Sequence, residues 1–260
     1  MPDRLALDGA LTFARFAYPP NHLGYCGPDV NDELLQRVSA GAADQELRTL
    51  AQGFEGAWPY LELIATCNKI DDPLDRRVVE AYWIGNRLLD RVDASTFADS
   101  LASRFGPQLA HVEDRDRLLA PLRSGAQPHH GFHVFGVYPW VGLLRTGAVD
   151  SALFVLDRCR VRWGRVASIS DDQVVVVSRP LTFDGTRLDL GEPREEVATQ
   201  AARGYRLTPD LAVGDWCALH WNWVCMRLDR RQLAALHHCT RRELDAVNGV
   251  RFPAPASVLA

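Results

Sequence analysis

The sequence predicts an α+β protein: an N-terminal all-helical domain over residues 1–157 and, over 158–260, a small β-barrel followed by a C-terminal helix. Three observations predict it. Apolar residues recur at helical spacing through most of the first part, and after Asp157 that period gives way to short β-type runs between turns. The charge changes sign at the same place, with 14 basic and 21 acidic side chains in residues 1–157 against 15 and 12 in residues 158–260. The last clear pattern is one amphipathic helix, from about Asp229 to Val247.

In the first part, Leu5 to Phe16 carries helical spacing, and Pro19-Pro20 is expected to stop it. Asn21 to Asp29 reads as a Gly/Pro-rich turn, after which Asp29 or Asn31 is a candidate cap for a short helix through Val38. Gln45 to Ala65 is amphipathic and is expected to kink or split at Trp58-Pro59. Asp71-Asp72-Pro73 looks like a cap with proline in the first turn, opening a helix from Leu74 to Arg91. Asp93 to Phe105 repeats that logic, with Ser95 or Thr96 near its start. Ser124 to Pro139 breaks the periodicity, and Gly142 to Leu156 resumes it as the last helix of the domain.

In the second part Val161, Val166 and Ile169 lead to a turn at Asp171-Asp172 and then to Val174-Val175-Val176-Val177, a β segment. Pro180, Gly185, Gly191 and Pro193 punctuate short strands or loops. Ala212 to Trp223 is a further apolar, aromatic run opened by Gly214-Asp215, and Gly249 and Pro253 follow the terminal helix. Short strands with tight turns describe a small barrel.

With 260 residues, 47% hydrophobic and 24% charged, the chain has apolar mass for one or two cores. No run approaches the roughly 18 consecutive apolar residues of a membrane span. Asp8 and Arg15 interrupt the N-terminal stretch that a signal peptide needs, so a cytoplasmic protein is expected. The six cysteines, at 26, 67, 159, 217, 225 and 239, then read as core residues, metal ligands or reactive thiols before disulfides. A net charge of −4 argues against a general nucleic-acid binder. Cys217, Cys225 and Cys239 are expected in cores or on a helix face.

Two segments of the first part carry chemistry. Gly24-Tyr25-Cys26-Gly27-Pro28 puts a cysteine before an expected helix start, where amide groups and the helix dipole favour a thiolate. Pro128-His129-His130-Gly131-Phe132-His133 supplies three imidazoles in five residues. One reading is a metal or metal-cofactor site using Cys26 with one or two of His129, His130 and His133, and His22 nearby. Another is a thiol enzyme in which Cys26 attacks and a histidine, His133, acts as base. A plain structural alternative makes the first segment turn chemistry and the second a loop of backbone-bonded imidazoles. Glu55 and Glu80 sit among apolar residues on expected helices, and Glu80 is expected to pair with Arg76 or Arg77. Nothing resembles a phosphate loop or a dinucleotide fingerprint.

Cys159-Arg160-Val161-Arg162-Trp163-Gly164-Arg165-Val166, the turn at Asp171-Asp172, Val174 to Val177, then Gly214-Asp215-Trp216 running to His220-Trp221-Asn222-Trp223 and a terminal helix, form an ordered set. This order resembles the small [NiFe]-hydrogenase maturation chaperones of the HypC/HupF type, over roughly residues 158–248. The resemblance implies an OB-like barrel and a job: holding iron that carries cyanide and carbon monoxide, and passing it between a maturation scaffold and the hydrogenase large-subunit precursor. Carried over by position, Cys159 is the iron- or partner-binding thiolate and His220 the second residue beside it. Arg160, Arg162 and Arg165 are expected to crowd Cys159 with positive charge and lower its pKa. In the resembled family the cysteine stands at the extreme N-terminus, whereas Cys159 is internal, and the segment from Pro180 to Pro209 is longer than the usual connection. A docking module without iron, and an assembly subunit keeping only the fold, are the other readings of the barrel.

Overall fold

The helical part is built around α1 (Gly9–His22), capped by Asp8, whose carboxylate accepts from the Leu11 amide at 3.1 Å. The computed structural model describes residues 8–105, 119–137, 140–144, 147–208 and 211–249. The expected helix start at Leu5, Pro139, Pro209 and Pro253 lie outside these residues. Thirteen of the fourteen α1 residues are buried, Pro19 and Pro20 included. The helix therefore does not stop at Pro19-Pro20 as expected. Two prolines remove two amide donors from its last turn, and burial on every side holds the turn without them.

Around α1 stand α2 (Asn31–Ala40), α3 (Gln45–Gln52), α4 (Trp58–Cys67) and α5 (Arg76–Trp83). The N-cap of α2 is Val30, without a side-chain cap, rather than Asp29 or Asn31. Pro59 sits in the first turn of α4, so the long amphipathic stretch splits there, as one of its two expected outcomes. The expected helix from Leu74 to Arg91 is corrected to eight residues capped by Asp75, followed by a 3-10 turn at Leu89–Arg91. Its stop has a physical cause at Gly85, whose φ is +98° and where a Cβ would stand 2.3 Å from Cys239 Sγ.

After α6 (Ala94–Phe105) come α7 (His130–Phe132), which continues as a π-helical turn over His133–Val137, α8 (Trp140–Leu144) and α9 (Val149–Cys159). The last expected helix is thus two, and Cys159 ends a helix instead of opening a strand.

The strands are β1 (Arg162–Ile169), β2 (Gln173–Ser178), β3 (Leu181–Phe183), β4 (Leu188–Leu190), β5 (Arg194–Thr199), β6 (Ala201–Ala202), β7 (Tyr205–Arg206), β8 (Trp216–His220) and β9 (Trp223–Leu228). Five close into a barrel in the order β1-β2-β5-β9-β8 and back to β1, an OB-like arrangement. All ladders are antiparallel except β5–β9, a parallel closure at Thr199–Trp223. The long connection supplies β5 and two small hairpins, β3–β4 and β6–β7. Val166, Val174, Val176, Ala198, Cys217, Leu219 and Val224 form one packed core. No described helix is long and apolar enough to cross a membrane.

The chain continues into α10 (Arg230–Asn248), opened by a capping box between Asp229 and Gln232. Glu243 of α10 is buried and accepts from the Gln127 amide at 3.3 Å. Burial pushes its carboxyl up to about 8. A carboxyl raised above its unfolded value holds its proton more tightly when folded, so its contribution to stability is complete below about pH 4.5 and shrinks as pH rises toward 8. Glu243→Gln is expected to flatten that decline and to raise stability at pH 8 by about 1–3 kcal/mol, measured by urea unfolding across pH.

Candidate metal centre

α9, α7 and β8 bring their ends to one pocket. Cys159 is the last residue of α9, His130 the first of α7, and His220 the last of β8. One ligating atom from each of the three lies within 4.8 Å of the others. The cavity beside them measures about 180 Å³, and Phe54, Trp83, Trp140 and Trp221 give it a largely aromatic wall.

Hydrogen bonds fix the imidazoles. His130 Nε2 lies 2.9 Å from the Cys159 carbonyl, which can only accept, so Nε2 carries the proton and Nδ1 the lone pair. The Tyr82 hydroxyl stands 3.3 Å from that Nδ1. His220 Nδ1 donates to the Phe16 carbonyl at 2.6 Å, which leaves its buried Nε2 as the lone-pair nitrogen, with no hydrogen-bond partner among the described residues. A ligating histidine held through its other nitrogen by a backbone carbonyl is the usual arrangement at protein metal sites.

The Phe16 carbonyl is free for this task because of Pro20. In a regular helix the amide of residue 20 would bond to the carbonyl of residue 16, and proline has no amide hydrogen. On the other side of His220, Trp221 holds a left-handed conformation at φ +52°, costly for a bulky residue. It is pinned by its amide on the Arg158 carbonyl at 2.7 Å, its carbonyl on Arg162 Nη2 at 2.6 Å, and its ring stacked on Tyr25. Strain held by its surroundings is common at functional sites.

Burial sets the protonation states. It lowers His130 to about 4 and His220 well below the ordinary imidazole value, His130 adding to the second effect. Both rings are therefore neutral near pH 7. Burial, and then the neighbouring Cys26 thiol, push Cys159 above the usual thiol range. This corrects the expectation that three arginines lower the Cys159 pKa. Arg160 is paired with Asp157 at 2.8 Å, Arg162 with Glu196 at 3.0 Å, and Arg165 Nε reaches the Gly214 carbonyl at 3.3 Å. The two buried guanidiniums spend their charge on carboxylates.

The other named residues fall in different places. Cys26 and His133 line the same pocket but lie outside the three-atom cluster. The expectation of an activated Cys26 thiolate is corrected, since burial pushes that thiol up to about 12. Gly27 beside it has φ +79°, with Phe54 packed where a Cβ would be. His129 turns Nδ1 back onto the Gly131 amide at 2.9 Å, capping α7 instead of joining the cluster. His22 is exposed and stacks on Tyr18. Glu55 is exposed, and Glu80 pairs with Arg231 at 2.9 Å rather than with Arg76 or Arg77. Cys217, Cys225 and Cys239 are buried in cores, as expected. Sequence reasoning missed Tyr82, Trp83 and the Phe16 carbonyl; the one signal for the last was a proline four residues downstream.

Two neutral imidazoles and one thiol form a three-point donor set that could hold zinc, iron or nickel. The thiol would release its proton on binding.

No curated protein and no solved structure matches the chain. With residues 6–253 matched by the family model described as "Family of unknown function (DUF6390)", the chain belongs to DUF6390.

Proposed function

We propose that the protein is a metal-handling accessory factor of [NiFe]-hydrogenase maturation, in which His130, Cys159 and His220 hold the cargo metal. The cargo in this reading is iron carrying cyanide and carbon monoxide, and the partners of the barrel are the large-subunit precursor or a maturation scaffold. One observation carries the reading. Cys159 and His220, the two residues singled out by the resemblance to the HypC/HupF-type chaperones, meet in one buried pocket and gain a third donor from the histidine-rich segment. Neutral imidazoles and a thiol suit low-spin iron, and an apolar wall shields bound diatomic ligands from water.

The thiol-enzyme reading draws less support. A nucleophilic cysteine needs a lowered pKa, and burial drives Cys26 the other way.

The test is infrared spectroscopy with iron analysis on protein purified anaerobically from cells co-expressing a hydrogenase operon. Cyanide and carbonyl stretches with bound iron are expected, and Cys159→Ala should remove both. Iron absent, no signal in that window and no co-purified hydrogenase component would overturn the proposal.

A further inference from the structure

We infer that the cleft between α5 and α10 binds a small aliphatic polyanion, a phosphate ester or a polycarboxylate, through Arg76, Arg87 and Arg231. The cleft measures about 630 Å³ and contains none of the three metal-centre residues. That volume is ordinary for a small-molecule site.

Its charge is positive in sum once existing ion pairs are set aside, with Arg76 and Arg87 standing against Asp90. Glu80 is already held by Arg231 at 2.9 and 3.0 Å and by Gln232 Nε2 at 2.8 Å, and Asp90 accepts from Gln127 at 3.3 Å. Arg77 is spent on Asp75 at 2.8 Å. Arg76 and Arg87 have no ion pair or side-chain hydrogen bond among the described residues, and both are exposed at the cleft. Arg231 serves Glu80 through one terminal nitrogen, Nη2, so the rest of its fork stays available for a ligand oxygen.

The three guanidiniums and the floor define the ligand. Arg76 opens α5, and the chain folds back after the end of that helix, where Asn86 Nδ2 donates to the Arg77 carbonyl at 2.8 Å, so that Arg76, Arg87 and Arg231 all line one cleft. Three guanidiniums on one cleft are best matched by a molecule with more than one anionic group. Leu88, Met226 and Ala235 supply an apolar floor for a carbon body. Phe, Tyr and Trp are absent from the lining among the described residues, which favours an aliphatic body over a stacked base. The Glu80 clamp joins α5 to α10 and so preforms the wall on which the ligand rests.

The test is isothermal titration of the full chain with fructose 1,6-bisphosphate and, separately, citrate. Saturable one-to-one binding of at least one probe is expected, and which of them binds assigns phosphate or carboxylate. Arg76→Ala/Arg87→Ala should weaken it about tenfold or more, and Arg87→Glu alone should do the same, since each removes charge-assisted bonds. Arg241→Ala, at an arginine paired with Asp189 outside the cleft lining, should leave it unchanged. No saturable binding of either probe, or equal binding by the Arg76/Arg87 variants, would overturn the inference. Binding of a hexaglutamate peptide with neither small probe would also overturn it, in favour of an acidic protein partner.

Discussion

Arg162→Met is expected to lower folding stability by about 2–4 kcal/mol in urea unfolding, because it strips one of two guanidinium partners from a largely buried carboxylate, Arg158 at 2.6 Å being the other. Arg162 is 1% exposed. Its guanidinium donates to Glu196 at 3.0 and 3.3 Å, to the Asp157 carbonyl at 3.0 Å and to the Trp221 carbonyl at 2.6 Å. It ties the end of α9 to β5 and to the turn after His220. Replacing both partners, as Arg162→Met/Glu196→Leu, should recover part of the loss, since no buried carboxylate is left short of a partner and Arg158, which loses its own, is 22% exposed. Burial pushes Glu196 up, but Arg162, Ser178 and Arg158 outweigh it and hold the carboxyl below its ordinary value. A depressed carboxyl contributes stability above its unfolded pKa and loses it as pH falls through the folded one. In Arg162→Met that acid-side loss should shrink. Equal stability of wild type and single variant at pH 7 would refute this account.

The second large effect is expected from Pro20→Ala, and it runs in opposite directions for fold and site. Proline inside a helix costs up to about 3 kcal/mol against alanine, so the variant should be at least as stable as the parent by thermal unfolding. Its new amide lies where a helical bond to the Phe16 carbonyl forms, in competition with His220 Nδ1. Loss of such an orienting bond typically weakens metal binding by about 10–100-fold. A Co(II) titration followed by its thiolate charge-transfer band reads this directly. Unchanged Co(II) affinity in a stable Pro20→Ala protein would show that the carbonyl does not orient His220.

Element types were legible where the period was strong. The valine run of β2, the helix start near Asp229 and the split at Trp58-Pro59 are local, and the structure has them where local chemistry puts them. Pro19-Pro20 misled because the rule that proline ends helices is also local, while α1 is held from all sides. The arginines around Cys159 misled for a related reason: adjacency shows the charges, but not Asp157 and Glu196, which neutralise them. At the centre, Cys159 and His220 were visible through a resemblance, and His130 as one of three neighbouring imidazoles. Which of His129, His130 and His133 joins the cluster depends on how α7 docks, and the sequence pattern carries no trace of that.

The bond from His220 to Phe16 bridges 204 positions. A chain made from its N-terminus holds α1 and the histidine-rich segment long before β8 exists, so the donor set cannot assemble on a nascent or truncated chain. Contacts this distant in sequence pay a large loop-closure entropy and tend to be completed late. The cluster is therefore complete only in the finished fold, and a ligand that bound that state alone would add its binding free energy to the persistence of that state.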